Sequence, residues 1–176
     1  VGVLAGVMVG IVLSLIWLVS VATRPPMPLL GREPGTQVFR ELDEHPEDER
    51  FPGVVVLRLD GGLFFATSDA LEDRIREVAL SAPDVTGIVL DCEGIDFIDS
   101  QGSAKLREVL ELTERAGVTL RLARVKPVVR ELLRRDQVLD RLGDHRIHGN
   151  VDRAVEAQLV AAATPERERG RDLNPP

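Results

Sequence analysis

The chain begins with an uninterrupted apolar segment and continues with shorter apolar runs separated by charged and turn-forming residues. Residues 1–23 carry no charged side chain, and the 22 basic and 29 acidic residues of the 176-residue sequence all follow them. As a helix, residues 1–22 would measure about 33 Å, enough to cross a hydrocarbon core of about 30 Å. Trp17 near the end of this segment and Arg24 directly after it are typical of a membrane boundary. We therefore predict a transmembrane helix over residues 1–23 and expect it to belong to a longer membrane protein.

A signal peptide is the alternative assignment for the apolar segment. Ser20, Val21 and Ala22 resemble a cleavage site, because small residues stand at the first and third of these positions. The apolar run lacks a preceding basic segment and an initiator methionine, which signal peptides carry. These features favour a membrane span over a signal peptide.

The composition changes abruptly over residues 24–52. Three prolines within residues 25–28 prevent the preceding helix from continuing. Residues 41–50 contain six acidic side chains and one basic side chain, which predicts a solvated linker rather than a core element. Arg24 and Arg32 lie close to the apolar segment and favour a cytoplasmic exit of the chain.

The remaining apolar runs have the lengths and periods of alternating strands and helices. Residues 54–59 are a β-branched run that ends at the turn-forming residues 60–62, and the short run 63–65 follows, which predicts a β-hairpin. Residues 87–91 show no polar alternation, as in a central strand that is buried on both faces. Residues 118–123 predict a further strand.

Helical segments separate these strands and follow them. Asp69 with Glu72 three residues later resembles a capping box, and Pro127 suits the first turn of a helix. The pattern predicts an α/β domain over residues 53–163, with a small mixed β-sheet covered by α-helices, and a charged disordered tail over residues 164–176. The predicted helices begin at Asp69, Ser100, Pro127 and Asn150 or Asp152; the first stops at residues 81–83, the second at Gly117 and the last near Ala163.

Charge and composition exclude several functions. The net charge of −7 argues against nucleic-acid binding, which requires a basic surface. The single cysteine, Cys92, cannot form an intramolecular disulfide, which favours a reducing compartment. The sequence has no phosphate-binding loop ending in Gly-Lys and no nucleophile elbow. We predict no metal site, no required cofactor and no enzymatic activity.

The residues that stand out lie where the central strand leads into the next helix. Asp96 and Asp99 occupy a short loop, and Ser100 follows at the expected start of the helix. In the ordinary interpretation Ser100 is the N-cap and stabilises the helix by about 1 kcal/mol. In the functional interpretation the same helix end accepts an anion, either a phosphate on Ser100 or the phosphate of a bound nucleotide. A nucleotide would contact Ser100, Gln101 and Gly102, together with Thr67, Ser68 and Asp69 at the start of a neighbouring helix.

Residues 87–117, and residues 98–102 in particular, resemble a STAS domain, which is shared by anti-anti-sigma factors and by the cytoplasmic tails of SulP sulfate and anion transporters. Residues 30–36, residues 52–53 and residues 63–66 resemble the linker and first strands of the SulP proteins. The apolar helix ahead of them also matches the transporter arrangement. The resemblance covers about residues 1–160. Gln101 departs from the many relatives that carry a second Ser or Thr at this position.

The resemblance implies a cytoplasmic regulatory domain of a plasma-membrane transporter of sulfate or another anion. Its expected partners are the transmembrane domain of the same transporter, a cytosolic regulatory protein and a GTP or ATP ligand. In anti-anti-sigma relatives the serine directly after the aspartate is phosphorylated, and Ser100 holds that position here. A free-standing anti-sigma factor antagonist, regulated by serine phosphorylation, is the alternative.

Overall fold

The computed structural model of the protein describes residues 2–81 and 84–172. Its first helix is long and apolar enough to cross a membrane, and its side chains are exposed along its whole described length. The later helices surround a four-stranded sheet, and a two-stranded sheet precedes them. The helices are α1 (Val3–Ala22), α2 (Ser68–Ser81), α3 (Ser100–Arg115), α4 (Pro127–Arg135), α5 (Val138–Leu142) and α6 (Val151–Asp172), with a 3-10 turn over Asp144–Arg146. The strands are β1 (Leu30–Arg32), β2 (Phe39–Glu41), β3 (Val54–Arg58), β4 (Gly87–Asp91), β5 (Thr119–Ala123) and β6 (Ile147–His148).

The main sheet has the order β3-β4-β5-β6, and its four strands are parallel. Every residue of β4 is buried, as the absence of polar alternation predicted. Successive side chains of β4 enter two separate cores: Ile88 and Leu90 pack with α2 to α5, whereas Val89 packs with α6 and the two-stranded sheet. Leu29, directly before β1, adds an antiparallel bridge to Leu57 of β3, so the predicted mixed α/β fold is confirmed.

Residues 24–52 are more ordered than the predicted solvated linker. β1 and β2 pair in antiparallel register, and Leu30 is buried against β3 and α6. The prediction was wrong because it rested on the acidic composition of this segment. The sequence does not show which basic side chains pair with these carboxylates in the folded chain. Among these residues, Asp48 is buried and accepts a 2.6 Å bond from Nη2 of Arg40, which lowers the pKa of Asp48 below its ordinary value.

Arg32 fixes this segment to the domain. Its Nη2 lies 2.8 Å from Glu49 and its Nη1 lies 3.0 Å from the buried Asp152 at the start of α6. The guanidinium also stacks 5.0 Å from the ring centroid of Phe51. Arg32 therefore acts as an internal crosslink in addition to any effect on membrane orientation.

The predicted hairpin is wrong, because residues 63–65 do not form a strand. The chain passes Gly61 at a φ of 154° and continues across the end of the sheet, and the buried Leu63 forms a parallel bridge with Ile98. Two glycines after a strand indicate that the chain bends, but they do not specify the direction of the bend.

The predicted helix boundaries hold at most ends. Pro127 is the first residue of α4, and the side chain of Asn150 accepts the N–H of Arg153 at 2.9 Å at the start of α6. α6 continues to Asp172, beyond the end predicted near Ala163 and into the predicted disordered tail, because good helix formers follow Pro165. Residues 173–176 and the predicted stop at residues 82–83 lie outside the described residues.

Candidate regulatory site at the carboxyl edge of the sheet

The two loops that carry the predicted site residues meet at the carboxyl edge of the sheet. They follow the adjacent parallel strands β3 and β4, so both emerge at the same edge. The N–H of Leu63 donates to the carbonyl of Phe97 at 2.9 Å, and the N–H of Asp99 donates to the carbonyl of Leu63 at 3.2 Å. The N–H of Phe65 donates to Oδ2 of Asp99 at 3.3 Å. These bonds join residues 63–65 to residues 97–99, and the helices that carry the two sets of predicted site residues, α2 and α3, begin directly after these loops.

Gly102 permits this close approach. A Cβ atom at position 102 would lie 2.1 Å from the carbonyl oxygen of Leu63 and 2.7 Å from its carbonyl carbon. Both contacts are to backbone, which cannot rotate away as a flexible side chain would. The first turn of α3 can therefore rest against the loop after β3 only because residue 102 has no side chain.

Asp99, not Ser100, is the N-cap of α3. Its backbone is extended, with φ −107° and ψ 178°, and its Oδ1 accepts the N–H of Gly102 at 2.7 Å. Its other carboxylate oxygen accepts the N–H of Phe65, so one side chain closes the helix end and ties the two loops together. The ordinary interpretation of Ser100 as the cap is wrong, because the helix begins at Ser100 itself, one residue earlier than that interpretation requires.

Because Asp99 is the cap, the side chain of Ser100 does not cap the helix. Ser100 is exposed at the first position of α3. Gln101 beside it is also exposed, whereas Gly102 is buried. Asp96 is exposed in the preceding loop and pairs with Lys126. The Ser100 hydroxyl therefore lies on an accessible helix end, where a positive dipole favours an added phosphate and where Asp99 already places one negative charge.

Thr67 and Ser68 do not present their hydroxyls outward. Both residues are buried, and the hydroxyl of Thr67 donates to the carbonyl of Gly62 at 2.8 Å, while that of Ser68 donates to the carbonyl of Phe65 at 3.1 Å. These bonds stabilise the turn that leads into α2. Asp69 is the exposed member of the trio, and its carboxylate lies 3.1 Å from Nζ of Lys105.

Arg124 and Asp91 anchor the loop that leads to Asp99, a role that the sequence analysis did not assign. Asp91 is fully buried at the end of β4 and accepts bonds from Nε of Arg124 at 2.9 Å and from its Nη2. Arg124 also pairs with Glu93 and has a left-handed backbone with φ 55°. A non-glycine residue at positive φ cannot be recognised from the sequence. The aspartate at the end of the predicted strand was therefore the only sequence feature that could have indicated the ion pair of Asp91 and Arg124.

Asp99→Ala and Ser100→Ala should separate the capping role from the exposed hydroxyl. We expect Asp99→Ala to lower the free energy of unfolding by about 1–2 kcal/mol, because it removes the cap of α3 and the contact to Phe65. Ser100→Ala should change it by less than about 0.5 kcal/mol, since the side chain is exposed. Thermal unfolding of the detergent-solubilised chain, followed by circular dichroism, measures both; equal losses would contradict the assignment of Asp99 as the cap.

Comparison with known proteins gives a consistent set of matches. The profile of the STAS domain family matches residues 45–154. A probable sulfate transporter of Mycobacterium tuberculosis (strain CDC 1551 / Oshkosh) is 32% identical over 157 residues, covering 89% of this chain and 28% of that protein. High affinity sulfate transporter 2 of Stylosanthes hamata is 26% identical over 159 residues, covering 85% of this chain and 24% of that protein.

Among solved structures, the murine Solute Carrier 26 family member A9 anion transporter in the inward-facing state has a similar fold. The match has a TM-score of 0.74 at 19% identity and covers 88% of this chain and 26% of that chain. The chain thus spans about a quarter of the length of the sulfate transporters that it matches.

Proposed function

Since the chain belongs to the STAS domain family, as residues 87–117 predicted, we propose that it forms the cytoplasmic regulatory and interaction domain of a SulP-type anion transporter. One observation carries this proposal: the similarity to sulfate transporters covers 85–89% of the chain, and so extends beyond the residues that match the STAS profile. Sulfate is the substrate named for these relatives, and we propose it for the protein to which this chain contributes. Transport itself requires more membrane helices than α1.

We propose that α1 spans the membrane and that residues 24–172 lie on its cytoplasmic side. Arg24 and Arg32 follow the apolar helix closely, as the positive-inside rule requires of a cytoplasmic exit. Cys92 is buried, and burial raises the pKa of its thiol far above the ordinary value, so this thiol is inert. The alternative, a free-standing anti-sigma factor antagonist, leaves α1 without a role.

The regulatory step that we propose is phosphorylation of Ser100. Its hydroxyl is exposed at the N-terminus of α3, and the cap is held independently by Asp99, so a phosphate would alter the surface without breaking the helix. A bound GTP or ATP is less favoured by the geometry. Its phosphate would compete with the Asp99 carboxylate for the N–H of Gly102 and would be repelled by its charge.

Sulfate uptake by the full-length transporter tests this proposal through two variants of equal charge. Ser100→Asp should change the rate of uptake severalfold, because it places a negative charge where the phosphate would be. Gln101→Glu adds the same charge one residue later, also at an exposed position, and should leave uptake near the parent rate.

Two results would contradict the proposed regulation by Ser100. One is an identical change in the uptake rate for Ser100→Asp and Gln101→Glu, which would show that any added negative charge in this region has the same effect. The other is parent-like uptake and parent-like response to cellular kinases in Ser100→Ala. Uptake that persists unchanged after removal of residues 53–172 would contradict a regulatory role of the whole domain.

A further inference from the structure

Three phenylalanines form an aromatic cluster in the two loops that meet at Asp99, and we call this cluster the phenylalanine patch (Phe64, Phe65 and Phe97). Phe65 is 65% exposed and Phe97 is 57% exposed, although both are large apolar side chains. The ring of Phe64 connects them, with centroids 5.8 Å from Phe65 and 6.3 Å from Phe97. Adjacent exposed aromatic rings are typical of a surface that another molecule covers.

The patch lies close to the point where the chain leaves α1. The carbonyl of Pro26 accepts the N–H of Asp60 at 3.0 Å, so the segment after α1 is hydrogen-bonded to the end of β3. A Cβ atom on Gly61 would lie 3.1 Å from Cβ of Pro25. Pro25 is three residues after Ala22, the last residue of α1, and three residues reach at most about 11 Å.

The next residues of the same loop lead directly into the patch. A Cβ atom on Gly62 would lie 3.3 Å from the ring of Phe64 and 3.4 Å from the carbonyl of Phe97. The carboxyl edge of the sheet, with the patch on it, is therefore the side of the domain nearest to the end of α1. If α1 crosses the bilayer, this edge faces the membrane.

We propose that the phenylalanine patch docks on cytoplasmic loops of the membrane domain of the same transporter. This inference rests on the proposed function and names the surface through which the domain acts. The patch supplies apolar rings, and the half-buried carboxylate of Asp99, which contacts the backbone of Phe65, borders them. Cytoplasmic loops of membrane proteins are enriched in Lys and Arg, which complement this acidic border.

Charge favours a protein partner over the lipid surface. The cytoplasmic leaflet is negative, and segments that bind it carry clusters of four to eight basic residues. The chain has a net charge of −7, and Lys126 next to the patch is paired with Asp96. An anionic leaflet would therefore repel the domain, whereas basic loops would attract it.

The position of Ser100 relative to the patch gives its phosphorylation a physical consequence. A phosphate adds nearly two negative charges at the border of the patch. It would strengthen attraction to basic loops and would leave the exposed rings in place. Regulation by Ser100 and docking of the patch would then be two parts of one contact.

Photocrosslinking in the full-length transporter, expressed in native membranes, tests the docking. A benzoylphenylalanine is introduced in place of Phe97 or, as the control, in place of Val160. Val160 is 68% exposed, and it lies on α6 near Gln158, which donates to the carbonyl of Thr86 at the opposite edge of the sheet. We expect crosslinked peptides from cytoplasmic loops at position 97, with a yield about tenfold above that at position 160.

Other products at position 97 would overturn the proposal. Lipid adducts would indicate the bilayer as the occupant, and adducts with residues 24–172 of a second copy would indicate association between domains. Equal yields at both positions, or no adduct at position 97, would show that the patch docks on nothing specific.

A pair of substitutions tests the same contact without a probe. Phe65→Ser with Phe97→Ser should leave the melting temperature nearly unchanged, because both side chains are exposed, and should abolish the effect of Ser100→Asp on uptake. If crosslinks form but Ser100→Asp has no effect, the regulation by Ser100 fails and the docking stands. If Ser100→Asp acts equally with and without the two substitutions, the docking fails and the regulation stands.

Discussion

Gly102→Ala is expected to lower the free energy of unfolding by about 3 kcal/mol, because it forces a methyl group against a backbone carbonyl. The new Cβ would lie 2.1 Å from the carbonyl oxygen of Leu63, so α3 or the loop after β3 must move by more than 1 Å. The gain in helix propensity of alanine over glycine, about 1 kcal/mol, is smaller than the cost of this overlap. For a chain of this size the melting temperature should fall by roughly 6–12 °C.

Gly149→Ala is the matched control for this substitution. No atom lies within 4 Å of a Cβ at position 149, and its φ is not in the left-handed region, so the melting temperature should stay close to that of the parent. The movement forced by Gly102→Ala should also separate Phe65 from Asp99, and therefore weaken the effect of Ser100→Asp on uptake. A Gly102→Ala chain that melts like the parent would show that the two loops do not meet as described.

Arg124→Met should lower the free energy of unfolding by about 3–5 kcal/mol, because it leaves the carboxylate of Asp91 buried without its cation. Asp91 is fully buried, and the N–H of Glu93 would be its remaining described side-chain contact, at 3.2 Å. Asp91→Asn should cost less, because the guanidinium of Arg124 is partly exposed and keeps Glu93 as a partner. Thermal unfolding of both single variants and of the double variant measures this difference.

The double variant decides whether the two side chains act as a pair. Asp91→Asn should recover part of the loss caused by Arg124→Met, since no charge is then left in the core, and the coupling should amount to about 1–3 kcal/mol. Additive losses would contradict the buried ion pair. Because this pair anchors the start of the loop that carries Asp96 and Asp99, its loss should also increase the mobility of the Ser100 region.

The alternation of strands and helices was predictable because it depends on local patterns. The apolar run of β4, the proline at the start of α4 and the Asn150 cap of α6 are short-range signals, and the structure confirms each of them. The predicted hairpin failed at residues 63–65, since the direction taken after Gly61 depends on packing against Ile98, which is distant in sequence.

The location of the candidate site could be predicted from the sequence, but the roles of its individual side chains could not. Parallel neighbouring strands bring residues 67–69 and residues 99–102 to one edge, as the pattern indicated. The roles differ because they depend on which side chain reaches which atom. Asp99 takes the capping position that Ser100 was expected to hold, and the hydroxyls of Thr67 and Ser68 are used inside their own turn.

The sequence by itself determined the α/β class, the apolar helix, the STAS resemblance and the position of Ser100 at a strand-to-helix junction, because each follows from residues close together along the chain. Only the tertiary structure decided that residues 24–52 pack through Arg32 and Arg40, that Gly102 must lack a side chain, and that the phenylalanine patch lies beside the end of α1. These features depend on contacts between segments far apart in sequence. Such contacts are set by packing and ion pairing in three dimensions, which local composition does not specify.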